Sequence, residues 1–88
     1  MSYFVYIVEC SDSTLYTGIT KDIERRLDEH NNSDKGAKYT KVRRPVRLVY
    51  SEESEDRSSA SKREYEIKKY TRTQKLELIK SRTTEEPR

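Results

Sequence analysis

The pattern of apolar and polar positions along the chain predicts three short strands. Residues 3–9 are almost all β-branched or aromatic, and because both faces are apolar, this segment is predicted to be a central strand. After a polar turn, residues 15–17 predict a second strand that ends at Gly18 and forms a hairpin with the first. Alternating apolar residues over 45–51 predict a third strand, with Pro45 at its tolerated first position.

Three helices are predicted between and after these strands. The first is capped by Thr20 or Asp22 and carries only a thin apolar stripe. The remaining predicted segments are a helix stop at 31–36, a basic loop at 37–44, helices at 58–70 and 73–80, and a frayed tail at 83–88. The order β-β-α-β-α-α predicts an α+β fold, in which three helices flank a three-stranded sheet within one domain spanning 1–82.

The composition predicts a thin core and excludes some kinds of site. The chain has 88 residues, of which 31% are hydrophobic and 40% are charged. Cys10 is the only cysteine, which excludes an internal disulfide and a Cys/His zinc cluster, so we expect it to end a strand as a small apolar residue. No apolar run approaches the roughly 20 residues that span a bilayer, and no signal-peptide pattern is present. We therefore expect a cytoplasmic protein without a membrane partner.

Positive charge is concentrated in one segment. The stretch from Lys35 to Arg47 carries six cations and no acid, namely Lys35, Lys38, Lys41, Arg43, Arg44 and Arg47. A basic stretch of this kind suits a polyanion such as nucleic acid. A solvated loop explains the charge equally well, so charge alone leaves both interpretations open.

Four polar side chains stand where a core would not need them. Tyr6 and Tyr16 lie on the two predicted hairpin strands, and Arg26 and His30 are four residues apart on one face of the first helix. A single strand tyrosine is usually a core residue with a wet hydroxyl, and a helix-end histidine is favoured by the helix dipole. The combination of all four favours a functional site over these structural interpretations.

Glu64 is a fifth candidate. On the predicted helix at 58–70, it lies between Ala60 and Ile67 on the face expected to be buried. Burying a carboxylate costs several kcal/mol unless a metal, an arginine or a backbone cap pairs with it. Ser61 and Glu64 fit a capping box if the helix begins at Ser61, whereas a start at Ser58 leaves Glu64 as a functional candidate.

Taken together, these segments resemble the GIY-YIG nuclease superfamily, and in particular its small stand-alone bacterial subgroup. The resemblance covers residues 2–80. It rests on the short triplets FVY at 4–6 and YTG at 16–18, on the helices KDIERRLDEH and SASKREYEIKKY, and on the segments GAKYT and RRPVRLVYSEE. The chain departs from the family pattern at Phe4 and Val5, which replace Gly-Ile, and at Thr17.

The resemblance implies a three-stranded antiparallel sheet and metal-dependent hydrolysis of DNA phosphodiester bonds. Tyr6 and Tyr16 would be the motif tyrosines, Arg26 the catalytic arginine and His30 its neighbour. Glu64 would hold one Mg²⁺ or Mn²⁺, and Tyr6, with a pKa lowered by nearby cations, would be the general base. Gly18 would be structural at the site. The residues expected to hold the DNA backbone are Lys35, Lys38, Tyr39, Lys41, Arg43 and Arg44.

Two other functions stay open at this stage. One is a nucleic-acid-binding module that does not cleave and needs a partner protein, suggested by the altered first triplet and by the lack of an attached DNA-recognition domain. The other is a structural or protein-interaction domain. For the nuclease we expect weak sequence specificity, with structured or damaged DNA as one candidate substrate, and a monomer or weak homodimer.

Overall fold

The computed structural model describes residues 2–84. Its elements are β1 (Tyr3–Glu9), β2 (Leu15–Thr20), α1 (Ile23–Asn32), α2 (Lys38–Lys41), β3 (Arg47–Ser54), α3 (Arg57–Lys68) and α4 (Arg72–Thr84). The predicted α+β fold and the order β-β-α-β-α-α are confirmed. The structure adds α2, a single helical turn within the predicted basic loop.

The three strands form one antiparallel sheet in the order β2-β1-β3, which confirms the predicted central position of β1. Tyr6 of β1 lies opposite Gly18 of β2 and Ser51 of β3. This register places the YTG segment directly beside the first motif tyrosine.

Some predicted boundaries were wrong. β2 does not end at Gly18 but continues to Thr20, because Phe4 at the start of β1 still pairs with Thr20. β3 begins at Arg47 instead of Pro45, and it runs three residues beyond the predicted end, where Glu52 and Glu53 pair with β1. At the C-terminus, α4 continues to Thr84, and residues 85–88 of the predicted tail lie outside the described residues.

The two faces of the sheet have different roles. The face that carries Val5 and Ile7 packs against Ala60 and Ile67 of α3, and all four side chains are fully buried. We call this the α3 face. The opposite face carries Tyr6 and Val8 and packs against Leu27 of α1, so we call it the α1 face. Cys10 is a buried free thiol on the α1 face, next to Val46.

Candidate active site

The centre of the candidate site is a buried contact between Tyr6 and His30. Tyr6 is 3% exposed on the central strand, and its hydroxyl lies 2.7 Å from Nε2 of His30. His30 is fully buried near the end of α1. One helical turn earlier, Nε of Arg26 donates a hydrogen bond to the same hydroxyl at 3.4 Å. The structure therefore brings together three residues that the sequence pointed to.

Thr40 determines which nitrogen of His30 carries the proton. The Thr40 hydroxyl donates its single hydrogen to the carbonyl oxygen of Ala37 at 2.9 Å. Its oxygen lies 2.9 Å from Nδ1 of His30, so it can only accept a proton from that nitrogen. Nδ1 of neutral His30 is therefore protonated, and Nε2 accepts the hydrogen bond from the Tyr6 hydroxyl.

Burial and charge hold both partners in their neutral forms. Burial, aided by the positive charge of Arg26, lowers the pKa of His30 to about 4. Burial also raises the pKa of Tyr6, and the hydrogen bond from Arg26 only partly opposes this rise. The lowered Tyr6 pKa expected from the sequence is therefore wrong, because desolvation of the phenolate outweighs the nearby cation.

Arg26 is held in place by several acceptors. Besides Tyr6, its guanidinium donates to Oε1 of Glu29 at 2.9 Å and to the carbonyl oxygen of Lys35 at 3.0 Å. Its side chain is 26% exposed, so part of the guanidinium remains open to solvent. A fixed and accessible cation of this kind can bind a phosphate group.

Gly18 explains how the Tyr6 ring fits against the sheet. A Cβ atom at position 18 would lie 2.6 Å from the Tyr6 hydroxyl oxygen and 2.8 Å from the ring carbon that carries it. No side chain larger than hydrogen can occupy this place unless Tyr6 moves. Gly18 is thus a close-approach glycine that lets the phenol lie across β2 and reach α1.

Tyr16 extends the site toward the basic segment. Its ring contacts His30 edge-on, with the ring centroids 5.5 Å apart, and stacks on Tyr39 at 5.9 Å. The guanidinium carbon of Arg43 lies 4.0 Å from the centroid of the Tyr39 ring. Tyr39, which was predicted from the sequence to contact DNA, is therefore connected to the catalytic candidates through Tyr16.

All three arginines of the basic segment have partners within the protein, and the partner of Arg47 is Glu9 of β1. Arg43 forms an ion pair with Asp12 at 3.1 Å. Arg44 donates to the carbonyl oxygens of Glu29, His30 and Ser33 at the end of α1. Arg44 thus caps a helix, and its expected contact with DNA stays a prediction.

The lysines of the segment differ from these arginines. Lys35, Lys38 and Lys41 are exposed, and among the described residues the side chains of Lys38 and Lys41 form no ion pair. The hydrogen bond from Arg26 is the main reason that the pKa of Glu29 is lowered, and the positive charge of Lys35 adds to this effect. The lysines are therefore the most available cations for an external phosphate.

Glu64 is not part of a helix cap. The α3 helix begins at Arg57, and its N-cap is Asp56, whose side chain accepts a hydrogen bond from the Ser59 amide at 2.8 Å. The Ser61 capping box is therefore wrong. The Glu64 side chain is 22% exposed and pairs with Lys68 at 3.2 Å, and its negative charge contributes to the raised pKa of Tyr6.

The donor set around Glu64 decides which metal could bind. Among the described residues, no group of three or more His, Cys, Asp or Glu side chains could hold an ion together. A single half-buried carboxylate, whose charge influences the pKa of Tyr6, fits a hard cation such as Mg²⁺ or Mn²⁺ that keeps most of its waters. It does not fit a structural zinc site.

Two supporting residues, Thr40 and Gly36, were not predicted from the sequence. A Cβ atom at Gly36 would lie 2.7 Å from the carbonyl oxygen of Glu29 and 2.9 Å from Cα of His30. The 33–41 segment therefore packs directly on the end of α1. The available signal was the count of glycines: the chain has only two, and both touch site residues.

The fold and this site define a known class of catalytic domain. The family model described as the GIY-YIG catalytic domain matches residues 2–77. The chain belongs to this family, which confirms the resemblance. Membership implies nuclease-type activity in general, with divalent metal ions and DNA as the usual cofactor and partner of such domains.

Relatives of similar size support the assignment. Two UPF0213 proteins of Staphylococcus aureus, from strains Mu3 and Mu50, are 64% identical over 81 residues, which cover 92% of this chain and 98% of each relative. The solution NMR structure of EF2693 from E. faecalis is 43% identical with a TM-score of 0.67, and covers 100% of this chain and 93% of that one.

A second solved structure agrees with this result. The NMR structure of the UPF0213 protein BH0048 from Bacillus halodurans is 44% identical with a TM-score of 0.58, and the match covers 91% of this chain and 84% of that one. Separately, none of the helices in residues 2–84 combines the length and apolar character needed to cross a bilayer.

Proposed function

We propose that the protein is a divalent-metal-dependent endonuclease that hydrolyses DNA phosphodiester bonds with weak sequence specificity. The observation that carries this proposal is the Tyr6 hydroxyl, which is buried and held between Nε2 of His30 and Nε of Arg26. A phenol with a base on one side and a phosphate-binding cation on the other is suited to activating water next to a phosphodiester.

Tyr6 and His30 form a proton relay in this mechanism. As the attacking water loses a proton to the Tyr6 oxygen, the phenol passes its own proton to Nε2 of His30, which is unprotonated. Thr40 stabilises the protonated form by accepting from Nδ1. Because both groups begin neutral, the relay does not require a phenolate, which the raised pKa of Tyr6 disfavours.

Substrate binding makes the relay easier. In the free protein, burial and the charge of Arg26 lower the pKa of His30. A phosphodiester bound to Arg26 offsets that positive charge and thereby raises the proton affinity of His30. Arg26 in turn stabilises the charge that develops on the phosphorus oxygens.

Glu64 would hold the metal ion, Mg²⁺ or Mn²⁺. When bound, such an ion polarises a nonbridging phosphate oxygen and stabilises the leaving 3′ oxygen. Lys35, Lys38 and Lys41 would contact the backbone on either side of the cleaved bond, which gives affinity without reading sequence. A cytoplasmic location accords with the free thiol of Cys10.

The experiment that tests the relay compares Tyr6→Phe with Tyr50→Phe in metal-dependent cleavage of a labelled DNA. Each change removes one phenol oxygen, and Tyr50, whose hydroxyl donates to Glu52, packs in the core of the α3 face. We expect Tyr6→Phe to lower kcat by at least about 100-fold, the usual range for loss of a general base, and Tyr50→Phe to cleave near the parent rate.

Urea unfolding of both variants provides the control, since loss of a buried hydroxyl also costs stability. Cleavage by folded Tyr6→Phe at the parent rate would refute the proposed role of the phenol. If both variants are folded and equally impaired, the defect is structural and the assignment of the relay fails.

A further inference from the structure

We propose that Tyr16, Tyr39 and Arg43 form a stacking platform for one unpaired nucleobase next to the cleaved phosphate. We call these three residues the stacking column. The inference rests on the proposed function and deepens it, because it names the substrate class: DNA with an unpaired nucleotide beside the scissile bond, as at a flap, gap or bulge.

The guanidinium of Arg43 is held in a fixed position by residues of the protein. Its guanidinium lies 4.0 Å from the Tyr39 ring centroid, donates to the Tyr39 carbonyl oxygen at 2.8 Å and pairs with Asp12 at 3.1 Å. The charge is thus balanced by a carboxylate, and the plane is fixed before any ligand arrives. Such a preorganised plane suits stacking by a base better than it suits capture of a phosphate.

The stacking column is partly exposed. The Arg43 side chain is 31% exposed and Tyr39 is 38% exposed, so the column reaches the surface. Val42, which precedes Arg43 in the sequence, is an apolar residue that is 81% exposed. A surface made only for phosphate does not need rings and a valine. Aromatic side chains interleaved with lysines are typical of surfaces that bind unpaired bases and their backbone.

The stacking column begins next to the proposed catalytic residues. Tyr16 at the inner end of the column contacts His30, which binds the Tyr6 hydroxyl. A base stacked on the column therefore belongs to a nucleotide close to the phosphate that Arg26 holds. A paired base in intact duplex is already stacked on its neighbours and cannot occupy this place without unpairing.

The test is a binding measurement with the Glu64→Gln protein in EDTA, so that no cleavage occurs. One DNA carries a single unpaired 2-aminopurine in an otherwise paired duplex, and the matched DNA has the same base paired. We expect about tenfold tighter binding of the unpaired form and quenched 2-aminopurine fluorescence on binding, since base stacking on an aromatic side chain contributes this much or more.

Three variants assign the effect to the column. Arg43→Lys keeps the charge but removes the plane, and Tyr39→Leu keeps apolar bulk but removes the ring, so each should lower the preference for the unpaired base to within about threefold. Lys38→Ala is the matched control, because loss of a phosphate contact should weaken binding of both DNAs equally.

The proposal would be overturned if the Glu64→Gln protein bound the two DNAs equally or bound them without quenching the fluorescence. It would also be overturned if both the Arg43→Lys and the Tyr39→Leu variant kept the full preference for the unpaired base. The nuclease assignment is judged separately, by cleavage in Mg²⁺ or Mn²⁺. If the protein prefers the unpaired base and quenches its fluorescence but never cleaves DNA, the stacking platform is supported and the proposed nuclease function is refuted.

Discussion

At the scale of single residues, two buried threonines show opposite uses of the same hydroxyl. Thr17, on β2, is 2% exposed, and its Oγ1 has no hydrogen-bond partner within the described structure. Thr40 is fully buried, and its hydroxyl joins His30 to the Ala37 carbonyl. A buried polar group without a partner lowers stability, whereas a satisfied group in a network supports it.

We therefore predict opposite effects of one substitution at these two sites. Thr17→Val should raise the free energy of unfolding by about 1 kcal/mol, and Thr40→Val should lower it by roughly 1–3 kcal/mol. Urea unfolding at pH 7 measures both. Destabilisation by Thr17→Val would contradict the finding that its hydroxyl is unpaired.

The buried imidazole predicts a specific pH dependence of stability. The pKa of His30 is about 4 in the folded protein and about 6.5 in the unfolded chain. Between these values only the unfolded chain binds the proton. The contribution of His30 to the free energy of unfolding is therefore fully present above pH 6.5 and is lost as the pH falls toward 4. The loss should approach about 3 kcal/mol, measured by urea unfolding from pH 7 to 4.5.

A His30→Asn variant provides the control for this measurement. The parent should lose stability through this window, while the variant, although less stable at pH 7, should show a nearly flat curve. The carboxyls with lowered pKa values, Asp12, Glu29 and Asp56, lose their contribution mainly below their unfolded pKa values of 3.8 to 4.5, which lie at or below the lower end of this window. The same slope in both proteins would contradict the assignment to His30.

At the scale of elements, the start of α3 decides how Glu64 is used. The Asp56 side chain caps the helix, so Ser61 is exposed inside it and Glu64, which pairs with Lys68, is not needed for capping. We predict that Asp56→Ala lowers the free energy of unfolding by about 1 kcal/mol, while Ser61→Ala changes it by less than about 0.5 kcal/mol. If urea unfolding instead shows a larger loss for Ser61→Ala than for Asp56→Ala, the capping box of Ser61 and Glu64 would be supported.

The same scale shows what local sequence patterns can predict. The type and order of the main elements followed from side-chain periodicity, and the Asp22 cap of α1 was one of two predicted choices. The end of β2 did not follow, because Gly18 is a strand breaker locally but is required opposite the Tyr6 ring. Such a requirement depends on a residue in a neighbouring strand, which a local pattern does not contain.

At the scale of the whole molecule, the sheet places the Tyr6–His30 contact and the main core cluster on opposite faces, while Glu64 comes from α3 on the core side. The α3 face holds the core cluster around Ile7 and Ile67, whereas the α1 face carries Tyr6, Tyr16 and the helix with His30. A thin core can support a reactive site because the site residues are themselves much of the packing on the α1 face. Substitutions there should therefore affect stability and activity together.

The limits of sequence-based prediction are also clearest at this scale. The residue types of the site followed from spacing and family resemblance, but their electrostatics did not. The direction of the Tyr6 pKa depends on burial, and the tautomer of His30 depends on Thr40 in a segment predicted to be a loop. Likewise, the sequence does not distinguish Arg44 from the lysines, whereas in the structure Arg44 is bound to the end of α1.

The most direct test of the nuclease assignment is nicking of supercoiled plasmid in Mg²⁺ or Mn²⁺ by the parent, Glu64→Gln and Glu66→Gln. The two variants alter the same helix by the same change, but Glu66 is 62% exposed and pairs only with Arg63 in the described structure. We predict that the parent and Glu66→Gln nick the plasmid and that Glu64→Gln does not. Equal nicking by Glu64→Gln, or none by the parent with either metal, would contradict a metal-dependent nuclease centred on Glu64.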